Sequence, residues 1–541
     1  MFFMMRNRWI ILGATAALAL GSAWAGLSYG PRSEARKPEA PLAPAVKLAT
    51  GFVFHDANKN GKREPGERGL GGVRVSNRRD FATTNAQGRW QLPIPDENDS
   101  IFFVVKPGGW RTEVDPKQLP RFYYIHKPKG SPKSRYPGVA PTGPLPASID
   151  FPLQPQQESR SFRALFFGDT QPRNVREVDY IRHDIVEPLI GKTDAKFGVT
   201  LGDIVFDDLS VFEPLIDTIA LLGLPWYNVL GNHDINYDSP DDAHSDETFE
   251  RYFGPNYYSF DHGPVHFVVL DNVHYAINPE TKRGGYTGAF GKEQLEWVKK
   301  DLAFVPESKL IVLMMHIPLT GTRDREDLYR LIEKRPYSLS VSAHTHYQEH
   351  HFIGAKDGWK GREPHHHVVN VTTCGSWWQG SPDEYGIPHA TMRDGAPNGY
   401  AIFSFDGNQY SIEFRAARRP PTYQMRIMAP EVVAQGEAAQ TVVSVNVFGG
   451  TEKSKVEMKV GDGKWLPMTR ALRPDPDYQQ MYDRDKELKT PYRALPAPID
   501  SPHLWEAKLP AGLPKGMLPI HVRTTDMFGQ VYLATRGITL R

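Results

Sequence analysis

The sequence predicts a central α/β domain between two β domains, and three observations lead to that prediction. Between residues 161 and 420, apolar runs alternate with helical patterns such as 175–190 and 292–302, which is typical of α/β folds. Residues 46–125 contain short alternating runs separated by turn clusters, which favour a small β domain. From residue 421 to the end, β-branched runs predict a second β domain of the sandwich type, in which two sheets pack face to face.

The domain boundaries follow from changes in composition. A chain of 541 residues is long enough for three or four domains of roughly 150 residues each. Residues 26–45 and 126–160 are rich in proline and charged side chains, and we interpret them as linkers. The domains are then expected at 46–125, 161–420 and 421–541.

The first 25 residues have the layout of a secretory signal peptide. Arg6 and Arg8 precede an apolar run that ends near Leu20, and Ala23 and Ala25 offer a small-x-small cleavage site. The apolar run is shorter than the roughly 20 residues that a membrane-spanning helix needs. We therefore expect export with cleavage, and an uncleaved anchor is the alternative.

Net charge and cysteine content restrict the candidate functions of the protein and the cellular compartment in which it is expected. The net charge is +1, and no sustained basic stripe indicates nucleic-acid binding. No transmembrane span is expected beyond the signal segment. Cys374 is the single cysteine, so an intrachain disulfide is excluded. An exported chain of this size without disulfides favours a bacterial periplasm or cell surface.

Five apolar runs of the central domain end in side chains that can bind metal ions. Because ligand sites of α/β sheets lie beyond the carboxyl ends of strands, these side chains are expected to converge. Carboxylate, amide oxygen and imidazole suit Mn, Fe, Zn or similar ions. The candidate ligands and their two neighbours are Asp169, Gln171, Asp203, Asn232, His233, Asp234, His316, His344 and His346.

The order of these motifs resembles the calcineurin-like metallophosphoesterases. That family's pattern runs D-x-H, G-D, G-N-H-D/E, a lone His and G-H-x-H, and the match covers residues 161–350. The resemblance implies a four-layer α/β/β/α domain that holds two divalent metal ions and hydrolyses phosphate esters with a metal-bridging hydroxide. The stretch 375–400 and the segments 475–478 and 503–505 also resemble a bacterial subgroup in which an N-terminal and a C-terminal β domain flank the catalytic domain.

The resemblance further implies a role for each residue. The first metal ion would be held by Asp169, Gln171, Asp203 and His346, and the second by Asp203, Asn232, His316 and His344. Asp203 would bridge the ions, His233 would protonate the leaving group or stabilise the transition state, and Asp234 would steady His233. Two residues depart from the pattern. Gln171 stands where many members have His and is a weaker ligand, and Ala343 replaces a Gly.

Two flanking segments carry further candidate sites. Trp377 and Trp378 are expected either to form a wall of the substrate site or to pack in the core. In the first β domain, oxygen-bearing side chains have the spacing of an EF-hand loop, and the surrounding sequence resembles calcium-binding B-type repeats of Gram-positive surface adhesins. A calcium site and a tight Asx-rich turn are the two interpretations. The residues concerned are Asp56, Asn58, Asn60 and Glu67.

The sequence favours a phosphoesterase but leaves its substrate open among monoesters, diesters and phosphoproteins. The alternative function is a cell-surface or periplasmic binding protein whose phosphoesterase domain is catalytically weak and whose β domains hold a glycan or a protein. The complete set of candidate ligands favours the enzyme, because a degenerate site would be expected to lose ligands.

Overall fold

The computed structural model describes residues 47–487 and 492–541. The predicted signal peptide, residues 1–25, and the first predicted linker, residues 26–45, lie outside the described residues. Within the described ranges, no helix is both long enough and apolar enough to cross a membrane.

The N-terminal β domain consists of two sheets, with strand orders β4-β1-β9-β6-β7 and β3-β2-β5-β8. Its core contains Trp90, stacked on Phe151 at 5.9 Å between ring centroids. Its strands are β1 (Leu48–His55), β2 (Arg74–Ser76), β3 (Phe81–Thr83), β4 (Arg89–Pro93), β5 (Ser100–Val104), β6 (Trp110–Val114), β7 (Pro120–Arg121), β8 (Tyr123–His126) and β9 (Phe151–Pro155).

The expected linker at 126–160 needs a correction. Its last part forms β9, which pairs in parallel with β1 through Val53 and Phe151. Leu153 on β9 is fully buried. The apolar Phe151 and Leu153 alternate with Pro152, which is a strand pattern, although the surrounding proline and lysine residues dominate the composition of the segment. The first β domain therefore extends to residue 155.

The central domain contains thirteen strands and six α-helices among the described residues. The strands are β10 (Ser161–Phe167), β11 (Gly198–Thr200), β12 (Trp226–Asn228), β13 (Tyr258–His262), β14 (Val265–Val269), β15 (Val273–Ile277), β16 (Gly284–Gly288), β17 (Leu310–Met314), β18 (Ser338–Ser342), β19 (Glu349–Ile353), β20 (His365–Val369), β21 (Gly399–Asp406) and β22 (Gln409–Ala416). The helices are α1 (Val175–Ile181), which continues through a π-helical turn at Arg182–Val186 into α2 (Glu187–Leu189), then α3 (Phe212–Ala220), α4 (Glu247–Phe253), α5 (Lys292–Leu302) and α6 (Arg325–Ile332).

Two sheets face each other in the centre of this domain, in the orders β12-β11-β10-β21-β22 and β13-β14-β17-β18-β20-β19. Successive residues of β10 point to opposite faces of the sheet. Phe166 packs between the sheets, because it shares a buried cluster with Phe267 of β14 and Val312 of β17 in the facing sheet. Phe167 belongs instead to the buried cluster that includes Val178 of α1 and Phe212 of α3. The predicted four-layer α/β/β/α architecture is confirmed.

The C-terminal domain is a sandwich of two sheets, in the orders β23-β25-β29-β28 and β24-β31-β30-β26-β27. Val445, Met458 and Ile520 belong to the apolar cluster in its core. The second predicted β domain is thus confirmed. Its elements are β23 (Met425–Met428), β24 (Val432–Val433), β25 (Val442–Val447), β26 (Lys455–Val460), β27 (Leu466–Pro467), β28 (Thr469–Ala471), α7 (Pro476–Glu487), β29 (Leu504–Lys508), β30 (Gly516–Thr525) and β31 (Val531–Leu540).

Candidate metal centre and active site

The predicted ligands lie in loops that follow the carboxyl ends of five strands, three in one sheet and two in the other. In the first sheet, β10, β11 and β12 are parallel, and the candidate ligands follow their carboxyl ends. In the second sheet, β17 and β18 are parallel and lead to His316 and His344. The two sheets therefore contribute ligands from opposite sides of a single cleft.

The backbone at this cleft adopts conformations that L-residues rarely populate. Positive φ values from 29° to 75° occur at Asp169, Gln171, Asp203, Asp207, His344, His346 and Trp377. Such conformations cost about 1–3 kcal/mol each and persist where surrounding structure enforces them, commonly at functional sites. Ala343 is not among the positive-φ residues, so its replacement of glycine causes no backbone strain.

Two glycines allow the close packing of the ligand loops. At Gly202, with φ of 84°, a Cβ would lie 2.5 Å from Nδ1 of His316. At Gly231, a Cβ would lie 1.9 Å from the backbone nitrogen of Asp203. A side chain at either position would displace a candidate ligand.

One group of four candidate ligands is tightly clustered. The Nε2 atom of His316 lies 3.1 Å from Oδ1 of Asp203, 3.1 Å from Oδ1 of Asn232 and 3.1 Å from Nδ1 of His344. The other ring nitrogen of His316 lies 2.9 Å from the carbonyl oxygen of Leu201. That contact orients the ring so that Nε2 faces the cluster, as in many metal sites.

The other candidate ligands lie beside this group. Both carboxylate oxygens of Asp169 accept hydrogen bonds from the backbone N–H of His344, at 3.2 and 2.9 Å. The Nδ1 atom of His346 lies 2.6 Å from the carbonyl oxygen of Gly375, which leaves Nε2 for the cleft. Gln171 donates from Nε2 to Oδ2 of Asp203 at 3.0 Å. Asp203 thus contacts Gln171 as well as the cluster around His316.

The protonation states follow from burial and from neighbouring charges. Burial disfavours the charged form of Asp203, but the positive charge of His316 outweighs it and holds the pKa of Asp203 below its usual range. Burial, with a contribution from the charge of Asp203, raises the pKa of Asp169 to about 8. Burial lowers the pKa of His344 to about 4 and that of His346 to about 3. Both rings are therefore neutral near pH 7, which is the form that binds metal ions.

The residue that orients His233 differs from the expectation. Nδ1 of His233 lies 2.6 Å from Oδ1 of Asp207, and its ring stacks on Phe206 at 4.5 Å. Asp234, the predicted partner, is directed elsewhere. Its carboxylate accepts hydrogen bonds from the backbone N–H groups of Ile204, Val205 and Gly231, at 3.1, 3.1 and 2.8 Å. Consecutive residues of this tight turn point in different directions, so Asp234 supports the loop backbone instead of the imidazole.

The donor set fits a divalent metal ion. One oxygen of Asp203 and one ring nitrogen each from His316 and His344 lie within 4.8 Å of one another. Within the described ranges, the other such cluster joins Asp99, His244 and Glu247. There the ammonium group of Lys127 already lies 3.1 Å from Asp99 and 2.5 Å from Glu247. That second cluster is satisfied by a cation of the chain itself.

Comparison with known families identifies the chain. The model for calcineurin-like phosphoesterases matches residues 162–348, and the models for the N-terminal and C-terminal parts of calcineurin-like phosphoesterases match residues 57–136 and 367–532. The chain belongs to the calcineurin-like phosphoesterase family. It is a phosphoesterase, and membership implies divalent metal cofactors and phosphate-ester substrates.

Comparison with solved structures finds ten similar chains, which include the following two. One is the purple acid phosphatase PPD1 from yellow lupin (Lupinus luteus) seeds, with 16% identity, coverage of 64% of this chain and 71% of that chain, and a TM-score of 0.34. The other is CopC from Methylosinus trichosporium OB3b, with 16% identity, coverage of 21% and 88%, and a TM-score of 0.13. No curated protein matches the phosphoesterase.

The active-site cavity of the phosphoesterase has a volume of about 370 Å³. The two tryptophans have different positions. Trp377 lines the cavity, with its ring stacked on His346 at 3.8 Å between centroids. Trp378 is buried, and its Nε1 donates to the carbonyl oxygen of Thr170 at 3.2 Å, so it packs in the core.

Several side chains of the site carry no signal in the sequence. Tyr286, Tyr347 and Arg393 line the active-site cavity, and none of them belongs to a metal-binding motif. Asp207 follows Asp203 by four residues, but an acidic residue at that spacing is common in loops. Only the three-dimensional contact with His233 distinguishes it.

The candidate calcium loop of the first β domain is built from side chains that hold its own backbone. Asp56 accepts hydrogen bonds from the N–H groups of Asn60 and Gly61, at 3.1 and 3.2 Å. Oε1 and Oε2 of Glu67 accept from the N–H groups of Ala57 and Glu64, at 3.0 and 3.1 Å. Similar contacts are made by Asn58 and Asn60. These contacts favour the Asx-rich turn, and calcium binding stays a prediction.

Proposed function

We propose that the phosphoesterase hydrolyses phosphate esters at a dinuclear metal centre held by Asp169, Gln171, Asp203, Asn232, His316, His344 and His346. The observation that carries this proposal is the position of the Asp203 carboxylate. One of its oxygens lies 3.1 Å from His316, and the other accepts a hydrogen bond from Gln171 at 3.0 Å. A single carboxylate that faces two groups of donors favours two ions over one.

The chemistry needs an electrophile for the phosphoryl group, a nucleophile and an acid for the leaving group. When bound, a pair of divalent ions supplies positive charge to the phosphoryl oxygens and lowers the pKa of water to near neutrality. Arg393 lines the same cavity and adds a permanent positive charge. Such preorganised charge stabilises the developing negative charge of the transition state.

His233 is proposed as the acid for the leaving oxygen. Burial lowers its pKa, but the charges of Asp203 and Asp207 outweigh burial and raise it. A raised pKa favours the protonated ring, the form that can act as an acid. The contact of Nδ1 with Asp207 leaves Nε2 free to face the substrate, and Nε2 is 4.0 Å from Oδ2 of Asp203. His233 thus lies beside the proposed centre without being one of its ligands.

The central test is the substitution Asp203→Asn. We expect nearly complete loss of turnover of p-nitrophenyl phosphate and bis-p-nitrophenyl phosphate, and a lower metal content at both sites. Asp179→Asn, an exposed substitution on α1, is the control and should keep both metal content and turnover. Elemental analysis that finds two ions per chain in Asp203→Asn would refute the bridging role. Activity of the wild-type protein after complete chelation with EDTA would refute metal dependence.

We also propose that the enzyme is exported to a bacterial periplasm or cell surface. The basic and apolar pattern of residues 6–25 supports this proposal. Cell fractionation with an antibody, together with N-terminal sequencing of the mature protein, is the test. Cytoplasmic accumulation of the full-length chain would contradict it.

A further inference from the structure

A second cavity adjoins the active-site cavity, and we call it the lateral cavity. Its volume is about 440 Å³, and it shares four lining residues with the active-site cavity, namely Tyr286, His344, Thr345 and Tyr347. The side chains that can form hydrogen bonds from its wall, besides His344, are Tyr286, Thr320, Thr345, Tyr347, Glu349 and His351. Because the two cavities share a wall, one ligand can extend from the candidate metal ligands into the lateral cavity.

The polar wall of the lateral cavity is built on an edge strand. Glu349 and His351 belong to β19, two residues apart, so their side chains leave the same face. Oε2 of Glu349 lies 3.2 Å from Nε2 of His351, and both side chains are 27% exposed. The opposite part of the wall includes the buried apolar residues Ile317 and Pro318. The cavity therefore offers both polar groups and apolar surface to a ligand.

Tyr286 lies at the junction of the two cavities. It belongs to β16 of the hairpin formed with β15, and its ring makes an edge contact with His344 at 6.1 Å. Burial raises the pKa of Tyr286, and the nearby charges of Asp203 and Asp207 contribute to the increase. Tyr286 and His233 both line the active-site cavity. An alcohol that departs beside His233 has a direct route past Tyr286 into the lateral cavity.

The two cavities differ in charge. Arg393 lines the active-site cavity, whereas no lysine or arginine of the described chain lines the lateral cavity. The carboxylate of Glu349 gives the lateral cavity a negative group, which repels a second phosphate or a carboxylate. The charge difference therefore orients an ester, with its phosphoryl oxygens towards Arg393 and an uncharged group in the lateral cavity.

We infer that the lateral cavity binds the alcohol portion of the substrate, and that this alcohol is an uncharged polyhydroxylated group of the sugar or polyol class. The inference rests on the proposed function of the adjoining site. Glu349 accepts hydrogen bonds from hydroxyl groups, whereas His351, Thr320 and Thr345 can donate or accept them. The rings of Tyr286 and Tyr347 provide flat apolar faces for the C–H surface of a sugar. Ligand sites commonly combine a few placed polar groups with aromatic surface in this way.

The test compares pairs of esters that differ only in the alcohol. For monoesters the pair is glucose 6-phosphate and ethyl phosphate, and for diesters it is methyl glucos-6-yl phosphate and methyl ethyl phosphate, in which no nitrophenolate competes as the leaving group. If the enzyme hydrolyses only monoesters or only diesters, the pair of that type is the one compared. In that pair we expect the wild-type kcat/KM to be at least about tenfold higher for the glucose ester than for the ethyl ester. Glu349→Ala should reduce this preference by about tenfold, mainly through KM, because a hydrogen bond to a charged group is lost. Glu349→Gln should retain part of the preference.

Two further variants make the test specific. His351→Ala removes a second group on the same face and should also reduce the preference. Glu457→Ala removes a strand glutamate of the C-terminal domain that is paired with Arg523 at 2.8 Å and lines neither cavity, and it should keep the preference unchanged. Equal kcat/KM for the two esters of each pair in the wild-type protein would overturn the inference and leave the phosphoesterase function intact. A preference that both Glu349→Ala and His351→Ala retain would place the alcohol elsewhere and also overturn it. Lack of hydrolysis of every ester with metal ions present would refute the proposed function itself.

Discussion

The contact between Asp207 and His233 makes a quantitative prediction about leaving-group chemistry. In the structure Asp207 lies 2.6 Å from Nδ1 of His233, whereas Asp234 binds three backbone N–H groups. We expect Asp207→Ala to slow the hydrolysis of esters with poor leaving groups, because the imidazole loses both its orientation and a charge that favours its protonated form. Turnover of p-nitrophenyl esters should change little, because nitrophenolate departs without a proton.

The size of the effect follows from the exposure of the contact. A hydrogen bond to a charged group contributes about 1.5–3 kcal/mol. The side chain of Asp207 is 51% exposed, so solvent screening favours the lower end of that range. Because about 1.4 kcal/mol corresponds to a tenfold change in rate, we expect Asp207→Ala to hydrolyse alkyl esters roughly tenfold more slowly. His233→Ala removes the acid completely and should cost ~10²–10⁴-fold on the same alkyl esters.

Steady-state kinetics on an alkyl ester and on the corresponding p-nitrophenyl ester is the assay, with metal content measured in each variant. Asp207→Asn should recover part of the loss, since the amide oxygen still accepts the hydrogen bond. Asp217→Ala, an exposed substitution on α3, is the control. Asp234→Ala should instead lose metal, because the loop that carries Asn232 loses its support. Full alkyl-ester activity in Asp207→Ala would refute the positioning role, as would equal losses on the two leaving groups.

Three further predictions concern other parts of the chain. Gln171→His should tighten metal binding, measured by competition with a chelator, because imidazole is the stronger ligand; weaker binding would contradict the assignment of Gln171 as a ligand. If calcium binds the first β domain, about 1 mM Ca²⁺ should raise the melting temperature of the wild-type protein but not that of Glu67→Ala. An unchanged melting temperature in the wild-type protein would show that the loop is an Asx-rich turn without a calcium site. His266 lies 2.7 Å from both Asp261 and Asp301; burial lowers its pKa, but the two carboxylates outweigh burial and raise it. The protonated His266 therefore contributes fully to the free energy of unfolding below the ordinary histidine pKa of about 6.5. This contribution is lost as pH rises through the raised pKa of His266 in the folded protein. His266→Gln should destabilise the domain by ~3–5 kcal/mol at pH 6 and flatten the dependence of the melting temperature on pH; an unchanged profile would contradict this account.

The candidate ligands were predictable because their signal is local. Each one follows an apolar run, and the carboxyl ends of parallel strands gather at one edge by geometry alone. The pairing of β9 with β1 was not predictable, since Phe151 and Val53 are about a hundred residues apart and proline dominates the composition around β9. The partner of His233 was mistaken for a related reason. Adjacency along the chain favoured Asp234, but backbone direction in a tight turn decides which carboxylate reaches the ring.

The sequence by itself determined the order of the domains, the α/β class of the central one and the types of side chain at the candidate metal centre. These properties depend on periodicity and on short motifs, which are local. Only the tertiary structure decided that Asp207 orients His233, that Trp377 lines the cavity while Trp378 packs in the core, and that Tyr286 connects the active site with the lateral cavity. Each of these features joins segments from different strands or hairpins. These features depend on the direction of each side chain and on packing between segments that are distant in the sequence. No single segment of the chain determines side-chain direction or long-range packing.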